Sequence, residues 1–198
     1  SGGSNKALGR AALFANLNGG SNVAIGVEAL SANTSGQYNT AVGSKALDSN
    51  ETVNNNSALG YKSLEAKTTG TPNTAVGNEA LKGNTTGIRN VAIGSEALKA
   101  NTTSGQNTAI GTFCMQNGTS GDSNTAVGYD CFSQINTGSN STAVGAYALK
   151  ANTSGYQNVA LGYKALTANT TGFVNTAIGA ETLMANTTGD KNVAIGKG

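Results

Sequence analysis

Hydrophobic and small residues recur along this chain with a period of 17 residues, and no unit contains an insertion or a deletion. In every unit the third position is Ala, the fourth is Val, Ile or Leu, and the fifth is Gly. One unit, residues 158–174, reads N-V-A-L-G-Y-K-A-L-T-A-N-T-T-G-F-V. An unbroken period indicates a repeat architecture in which each unit closes one equivalent coil. The units begin at Asn5, Asn22, Asn39, Asn56, Asn73, Asn90, Asn107, Asn124, Ser141, Asn158, Asn175 and Asn192.

Positions one to five of the unit alternate in the manner of a short β-strand, with positions two and four on one face. We expect Leu at position nine and the aliphatic residue at position four to form a narrow core. The Ala column is then left as a flat surface on which a copy of the chain can pack. The Gly column indicates a special backbone angle or a close backbone approach. The structural repeat positions are represented by Ala92, Ile93, Gly94, Leu98, Asn101, Ala160, Gly162 and Leu166.

Positions six to eleven are ambiguous, because residues 95–100 read S-E-A-L-K-A and are good helix formers. A second strand or a tight bend is favoured, since 17 residues leave little room for a strand and a full helix, and a single helical turn is the alternative. Positions twelve to fifteen carry Asn, Thr and Gly, which are typical of turns. Stacked Asn side chains at position one are expected to form a ladder in which each amide donates to the next. The sequence predicts an all-β, parallel β-solenoid.

The domain organisation predicted is one repeat array over residues 1–198, as a fragment of a longer fibre. Ser1 to Ser4 fit either a linker or the tail of a preceding unit, because residues 18–21 occupy the same columns. Natural arrays have capping repeats, and none is recognisable here.

The composition argues against several classes of function. Charged residues make up 11% of the chain, the net charge is +2, and there is no His. The charges are scattered, so no patch for nucleic acid is expected, and no apolar run approaches the roughly 20 residues of a membrane span. The acidic residues show neither paired-carboxylate nor metal-ligand spacing, and the commonest general base is missing. We therefore expect no enzyme activity, no catalytic or metal-binding residues and no cofactor.

The motifs N-T-A-V-G and N-V-A-I-G, and the longer form N-T-A-x-G-x-x-A-L-x-x-N-T-T-G, cover essentially the whole chain. This pattern resembles the head repeats of YadA-type trimeric autotransporter adhesins and repeats of bacteriophage tail fibres. The resemblance implies a left-handed parallel β-roll assembled as a homotrimer, which is displayed outside the cell or on a virion and used for attachment. The YadA-type head unit is shorter than 17 residues, so the shape of the coil could differ.

Positions sixteen and seventeen vary most freely, and variable loop tips on a fixed scaffold are where recognition is usually found. The alternative is that these side chains are unconstrained or contact a neighbouring subunit. Tyrosines at position six would add an aromatic stripe if they point outward. The candidates for surface recognition are Tyr38, Ile88, Arg89, Tyr156 and Phe173, and the position-six tyrosines are Tyr61, Tyr129 and Tyr163.

Cys114 and Cys131 lie one period apart at position eight, where Ala is the rule. The favoured interpretation is that both are small buried core residues, and a disulfide between them is the alternative. Their neighbours Met115 and Phe132 replace Leu, which indicates one repacked patch of core.

The leading hypothesis is a structural and adhesive fibre segment that mediates attachment or serves as a rigid spacer. Its expected partners are copies of itself, as a homotrimer or a head-to-tail filament, and a host-cell receptor or glycan. One alternative is a self-assembling extracellular filament subunit. The other is an ice- or surface-binding β-solenoid, although the adjacent Thr residues of the turns point to opposite faces and offer no regular array.

Overall fold

The chain forms a β-solenoid of about eleven turns in a computed structural model that describes residues 3–66, 68–135 and 137–198. Ser1 and Gly2 of the N-terminal tail lie outside the described residues. Each coil contributes one strand of three residues, and the described residues contain no helix. The strands are β1 (Lys6–Leu8), β2 (Val23–Ile25), β3 (Thr40–Val42), β4 (Ser57–Leu59), β5 (Thr74–Val76), β6 (Val91–Ile93), β7 (Thr108–Ile110), β8 (Thr125–Val127), β9 (Thr142–Val144), β10 (Val159–Leu161), β11 (Thr176–Ile178) and β12 (Val193–Ile195).

The twelve strands form a single parallel sheet in sequence order, from β1 to β12. Every strand pairs with the next in the register set by the 17-residue period, so that Ala92 lies opposite Ala75 on one side and Ala109 on the other. At a spacing of about 4.8 Å between strands, eleven steps give a rod roughly 50 Å long. The predicted all-β parallel solenoid is confirmed.

Positions six to eleven form consecutive tight turns, and neither a helical turn nor a second strand is found there. In the coil that begins at Asn90, Ala97 donates its N–H to the carbonyl of Gly94 and Lys99 donates to that of Glu96. The intervening residues Glu96 and Leu98 have left-handed backbones, with φ of 58° and 50°. A helix is impossible with this alternation, because it needs consecutive right-handed residues. The N–H groups of Glu96 and Leu98 bond instead to the coils on either side.

The Gly column follows directly from backbone geometry. Its φ angles lie between 125° and 147°, a region that residues with a side chain rarely adopt. A Cβ atom on Gly94 would also collide with the carbonyl oxygen of Gly111 in the next coil. Both the positive φ and the close approach of the next coil therefore require Gly at this position.

The prediction for the two strand faces was wrong about which one is buried. Ala92 is fully buried and packs with the side chains of positions eight and nine, including Leu98, whereas Ile93 is 39% exposed. The position-three side chains face the interior of the coil, where the opposite wall leaves space only for small residues. The Ala column is thus the inner wall of the core, and the position-four aliphatic residues point outward.

Two columns of Asn hold the coils together, and the first differs in detail from the expected ladder. The position-one Asn uses its Nδ2 to bond the carbonyl of position fifteen in its own coil, as Asn22 does with Gly36 at 2.8 Å. Its Oδ1 accepts the backbone N–H of the next Asn in the column, as in Asn39 to Asn22 at 2.9 Å. Among the described residues, side-chain amides bond one another repeatedly only in the position-twelve column, for example Asn101 to Asn84 at 2.8 Å. The position-one amide therefore closes its coil and bonds the next one.

Candidate binding surfaces

From β2 to β11 the outer face of the sheet is an uncharged array of Thr, Ser, Val, Ile and Leu side chains. From β2 to β11, no position-two or position-four side chain is fully buried and none carries a charge. Isoleucines near the middle of the face are substantially exposed, with Ile93 at 39% and Ile110 at 37%. The position-four members are Leu8, Ile25, Val42, Leu59, Val76, Ile93, Ile110, Val127, Val144, Leu161, Ile178 and Ile195.

The size of this flat apolar face sets it apart from scattered surface hydrophobics. Ten strands, β2 to β11, about 4.8 Å apart and three residues wide at about 3.3 Å per residue, give a planar footprint on the order of 500 Å². Within it the position-four column is aliphatic, and position two is mostly Thr. The largest apolar patch of an ordinary monomer is of similar size and is often functional. Because the face is unbroken along the array, it is the principal candidate for contact with another surface.

A second surface, formed by positions six, seven and ten, carries an ion-pair ladder in the first half of the chain. Glu79 accepts from Lys82 in its own coil and from Lys99 in the next, both at 2.8 Å, and Lys99 also contacts Glu96 at 3.1 Å. The hydrogen bonds from Lys82 and Lys99 lower the pKa of Glu79 to about 2. The hydrogen bonds from Lys99 to Glu79 and Glu96 raise the pKa of that ammonium group. Charges of both signs therefore neutralise one another along this part of the surface.

A shallow cavity of about 580 Å³ lies beside the ion-pair ladder. Its lining combines small residues at position eleven, such as Ala66, Gly83 and Ala100, with polar and charged side chains. Glu65 and Lys82 of this lining pair with each other, and Lys99 pairs with Glu79 of the ion-pair ladder. The cavity therefore offers no unpaired charge cluster among the described residues. The polar lining residues are Asp48, Ser49, Glu65, Lys82, Lys99, Gln116 and Asn117.

In the second half of the chain the same surface carries an aromatic ladder. Phe113, Tyr129, Tyr147 and Tyr163 come from four consecutive coils, and their neighbouring ring centroids are 5.9, 5.5 and 6.1 Å apart. The rings meet edge to face, at interplanar angles of 68° to 85°. The aromatic residues of the ladder alternate between positions seven and six of their coils. Of the position-six tyrosines, Tyr129 and Tyr163 are in the ladder and Tyr61 is not, and all three are exposed.

Charged side chains frame the aromatic ladder. Lys150 forms an ion pair of 2.6 Å with Asp130 and lies over the ring of Tyr147, 5.1 Å from its centroid. The hydrogen bond to Asp130 raises the pKa of Lys150. Lys164 lies over Tyr163 at the same distance and forms no ion pair with a described carboxylate. The ladder is therefore an amphipathic surface rather than a purely apolar one.

The five turn-tip candidates lie at the surface, but the structure does not bring them together. Tyr156 and Phe173 stack in neighbouring coils, with centroids 4.9 Å apart and planes within 4°. Tyr38 is exposed several coils away. Ile88 and Arg89 are exposed too, and Ile88 borders a hollow of about 420 Å³ where the next coil has Gly105. The tips thus form at least three separate surface features rather than one site.

Cys114 and Cys131 are free thiols and fully buried. Each thiol donates to the carbonyl of an inner-wall Ala, at 3.3 Å. A hydrogen bond with Cys131, together with burial, raises the pKa of the Cys114 thiol well above its ordinary value. Ile135 is also fully buried beside them, in a column that is usually Asn, and Gly118 in the same column of the preceding coil makes room for it. The cysteines belong to a repacked core and not to a reactive surface.

Two further kinds of feature are absent from residues 3–66, 68–135 and 137–198. No group of three or more His, Cys, Asp or Glu side chains is arranged to hold a metal ion. No helix in these ranges is long and apolar enough to cross a membrane. Comparisons with protein-family models, curated proteins and solved structures returned no match.

Proposed function

We propose that this chain is a structural and adhesive segment of an extracellular fibre, assembled as a homotrimer. The observation that carries the proposal is the flat apolar face, which runs without a charged side chain from β2 to β11. Exposed apolar patches of this extent mark contacts with other macromolecules. A second copy is the natural occupant, because only a surface with the same axial repeat matches the array from end to end.

The geometry of the face suits packing around a common axis. Its footprint of roughly 500 Å² is below the ~800 Å² that each partner contributes to a standard interface, so a single flat contact is marginal. Three copies that direct Ile93 and its equivalents towards one axis enclose a common apolar core, in which the face of each copy contacts two neighbours. In this arrangement the copies pack on one another through the position-four aliphatic column. The sequence had suggested the Ala column for that contact.

The assembled segment is proposed to act as a rigid rod, left-handed like the repeats it resembles, that holds recognition surfaces away from a cell or a virion. Tyr38, Ile88, Arg89, Tyr156 and Phe173 are exposed or half-buried at the turns and are free to contact a receptor on the outside of the trimer. Rigidity is supported by the continuous parallel pairing and by the Asn columns.

The absolute mass of the soluble chain, measured by light scattering over a range of concentrations, tests this proposal. A fixed mass of three chains is expected, and the double variant Ile93→Lys/Ile110→Lys should reduce it to one chain. Thr103→Lys, on an exposed turn, is the matched control and should leave the trimer intact. A wild-type mass of one chain would contradict the trimer. A mass that rises continuously with concentration would support the filament alternative, in which chains stack end to end.

A second candidate function, ice or surface binding, is favoured by one observation about the same face. Position two is Thr in β3, β5, β7, β8, β9 and β11, so hydroxyl and methyl groups form a flat array beside the aliphatic column. The array lies on the strands and not on the paired Thr residues of the turns. If the chain proves to be a single-chain rod, thermal hysteresis of freezing should be detectable, and Thr125→Lys should abolish it. A single-chain rod without hysteresis would exclude this candidate.

A further inference from the structure

The aromatic ladder departs from the repeat in a way that the fold does not require. Phe113 and Tyr147 occupy position seven, where the adjacent coils have the charged residues Glu96, Asp130 and Lys164. Tyr129 is 45% exposed outside the coil, so it contributes little to the core. The ladder also covers only four coils, whereas a contact between copies would use a column along the full length. Neither the core nor the assembly accounts for it.

The spacing of the ladder suits an extended polymer that lies along the solenoid. One ring is presented per coil, at an axial step of about 4.8 Å, so the four rings span roughly 14 Å. This step is close to the length of one pyranose residue in an extended glycan chain. The carbon–hydrogen faces of pyranoses pack on aromatic rings, and their hydroxyl groups need donors and acceptors nearby. Asp130, Lys150 and the tyrosine hydroxyls provide these groups along the ladder.

The charged side chains beside the aromatic ladder favour a ligand that carries negative groups. The Asp130–Lys150 ion pair is neutral, and Lys164 beside Tyr163 forms no ion pair with a described carboxylate. The ladder therefore has one ammonium group available for a negative group on the ligand. A single available cation fits occasional carboxylates along a chain, whereas nucleic acid presents a charge at every phosphate. The rings also contact one another, which leaves no gap for a base to insert.

We propose that Phe113, Tyr129, Tyr147 and Tyr163 form a binding track for a linear glycan that carries carboxylate groups. The sugar rings lie across the aromatic ladder and a carboxylate pairs with Lys164. This inference rests on the proposed attachment role and names its ligand class and site. It does not depend on the number of chains in the fibre, because the track lies outside the flat apolar face.

The test is equilibrium binding of two hexasaccharides to the intact chain by calorimetry. Hyaluronan alternates N-acetylglucosamine with glucuronate, and the chitin hexamer is the neutral match. Hyaluronan hexasaccharide is expected to bind more tightly than the chitin hexamer. Tyr129→Ser should weaken binding about tenfold, as expected for the loss of one stacked ring. Lys164→Gln should remove the preference for the acidic glycan.

Tyr61→Ser is the matched control. Tyr61 occupies the same position six, is 49% exposed and has Lys62 over its ring, yet it lies outside the ladder. Its loss should leave binding unchanged. The proposal is overturned if neither glycan binds, if Tyr61→Ser weakens binding as much as Tyr129→Ser, or if an oligothymidylate binds better than hyaluronan. Light scattering on the same variants separates the two proposals, because Tyr129→Ser should not change the mass.

Discussion

Replacing Asn107 by Ala removes an amide that closes one coil and bonds the next. Its Nδ2 donates to the carbonyl of Gly121 at 2.8 Å, and its Oδ1 accepts the backbone N–H of Asn124 at 2.9 Å. Asn107 is fully buried, so water does not replace either partner without local opening. Both the carbonyl and the N–H are then left without their amide partners.

The expected loss in the free energy of unfolding follows from the two groups left without a partner, the carbonyl of Gly121 and the N–H of Asn124. A buried polar group left unsatisfied costs about 1–3 kcal/mol, so Asn107→Ala should lower the free energy of unfolding by roughly 2–5 kcal/mol. The chain itself has Ser in place of the position-one Asn at Ser141. The hydroxyl of Ser141 still accepts the N–H of Asn158, at 3.1 Å. Asn107→Ser should therefore cost only about 1–2 kcal/mol, since it loses the bond to Gly121 and retains an acceptor.

The reverse substitution provides the control. Gly155 accepts only one of the two side-chain amides that Gly172 accepts, because the column has Ser141 in place of Asn. Ser141→Asn should supply the missing amide and raise the free energy of unfolding by about 0.5–1.5 kcal/mol.

Urea unfolding of the three variants gives the free energies, and hydrogen exchange at the amide of Asn124 reports the local effect. The order of stability should be Ser141→Asn above wild type, then Asn107→Ser, then Asn107→Ala. The reasoning is refuted if Asn107→Ala lies within about 0.5 kcal/mol of wild type, the ordinary effect of a surface substitution. It is equally refuted if Ser141→Asn destabilises the chain.

Three further predictions concern the backbone, the ion pairs and the thiols. Gly94→Ala should destabilise the chain by at least about 2 kcal/mol in thermal unfolding, since it imposes both a strained φ and a clash with the next coil. Because the folded-state pKa of Glu79 is depressed, its ion pairs stabilise the fold above about pH 4.5, and this contribution is lost as pH falls towards 2. Glu79→Gln should remove that part of the acid dependence, about 0.5–1 kcal/mol, in urea titrations at pH 2–7. Cys114 and Cys131 should react with a thiol reagent only after unfolding, and fast reaction of the native chain would contradict their burial.

The period and the strand could be predicted from the sequence because they depend on residue types that repeat. Which face of the strand is buried in the core could not be predicted from the sequence. Alternation shows that Ala92 and Ile93 lie on opposite faces, but the left-handed turn residues Glu96 and Leu98 bring the opposite wall close to Ala92. Glu and Leu are ordinary helix formers, and their types give no sign of a positive φ.

The surface features were missed for a related reason. The aromatic ladder alternates between two columns, Phe113 and Tyr147 at position seven with Tyr129 and Tyr163 at position six. Position six by itself predicts only a stripe of tyrosines and leaves out the two aromatic residues at position seven. Aligning the units one beneath another and comparing adjacent columns would have revealed both this ladder and the ion pairs, since side chains in neighbouring coils are only about 4.8 Å apart along the axis.

The reactivity of a cysteine introduced on the flat apolar face tests the central claim most directly. In the single chain the side chain of Ile110 is 37% exposed, while both native cysteines are buried, so Ile110→Cys provides the only accessible thiol on that face. If copies of the chain cover the face, this thiol should react far more slowly than that of Thr103→Cys on an exposed turn, and mild denaturation should abolish the difference. Equal reaction rates in the native protein would show that the face is uncovered and would contradict the proposed assembly.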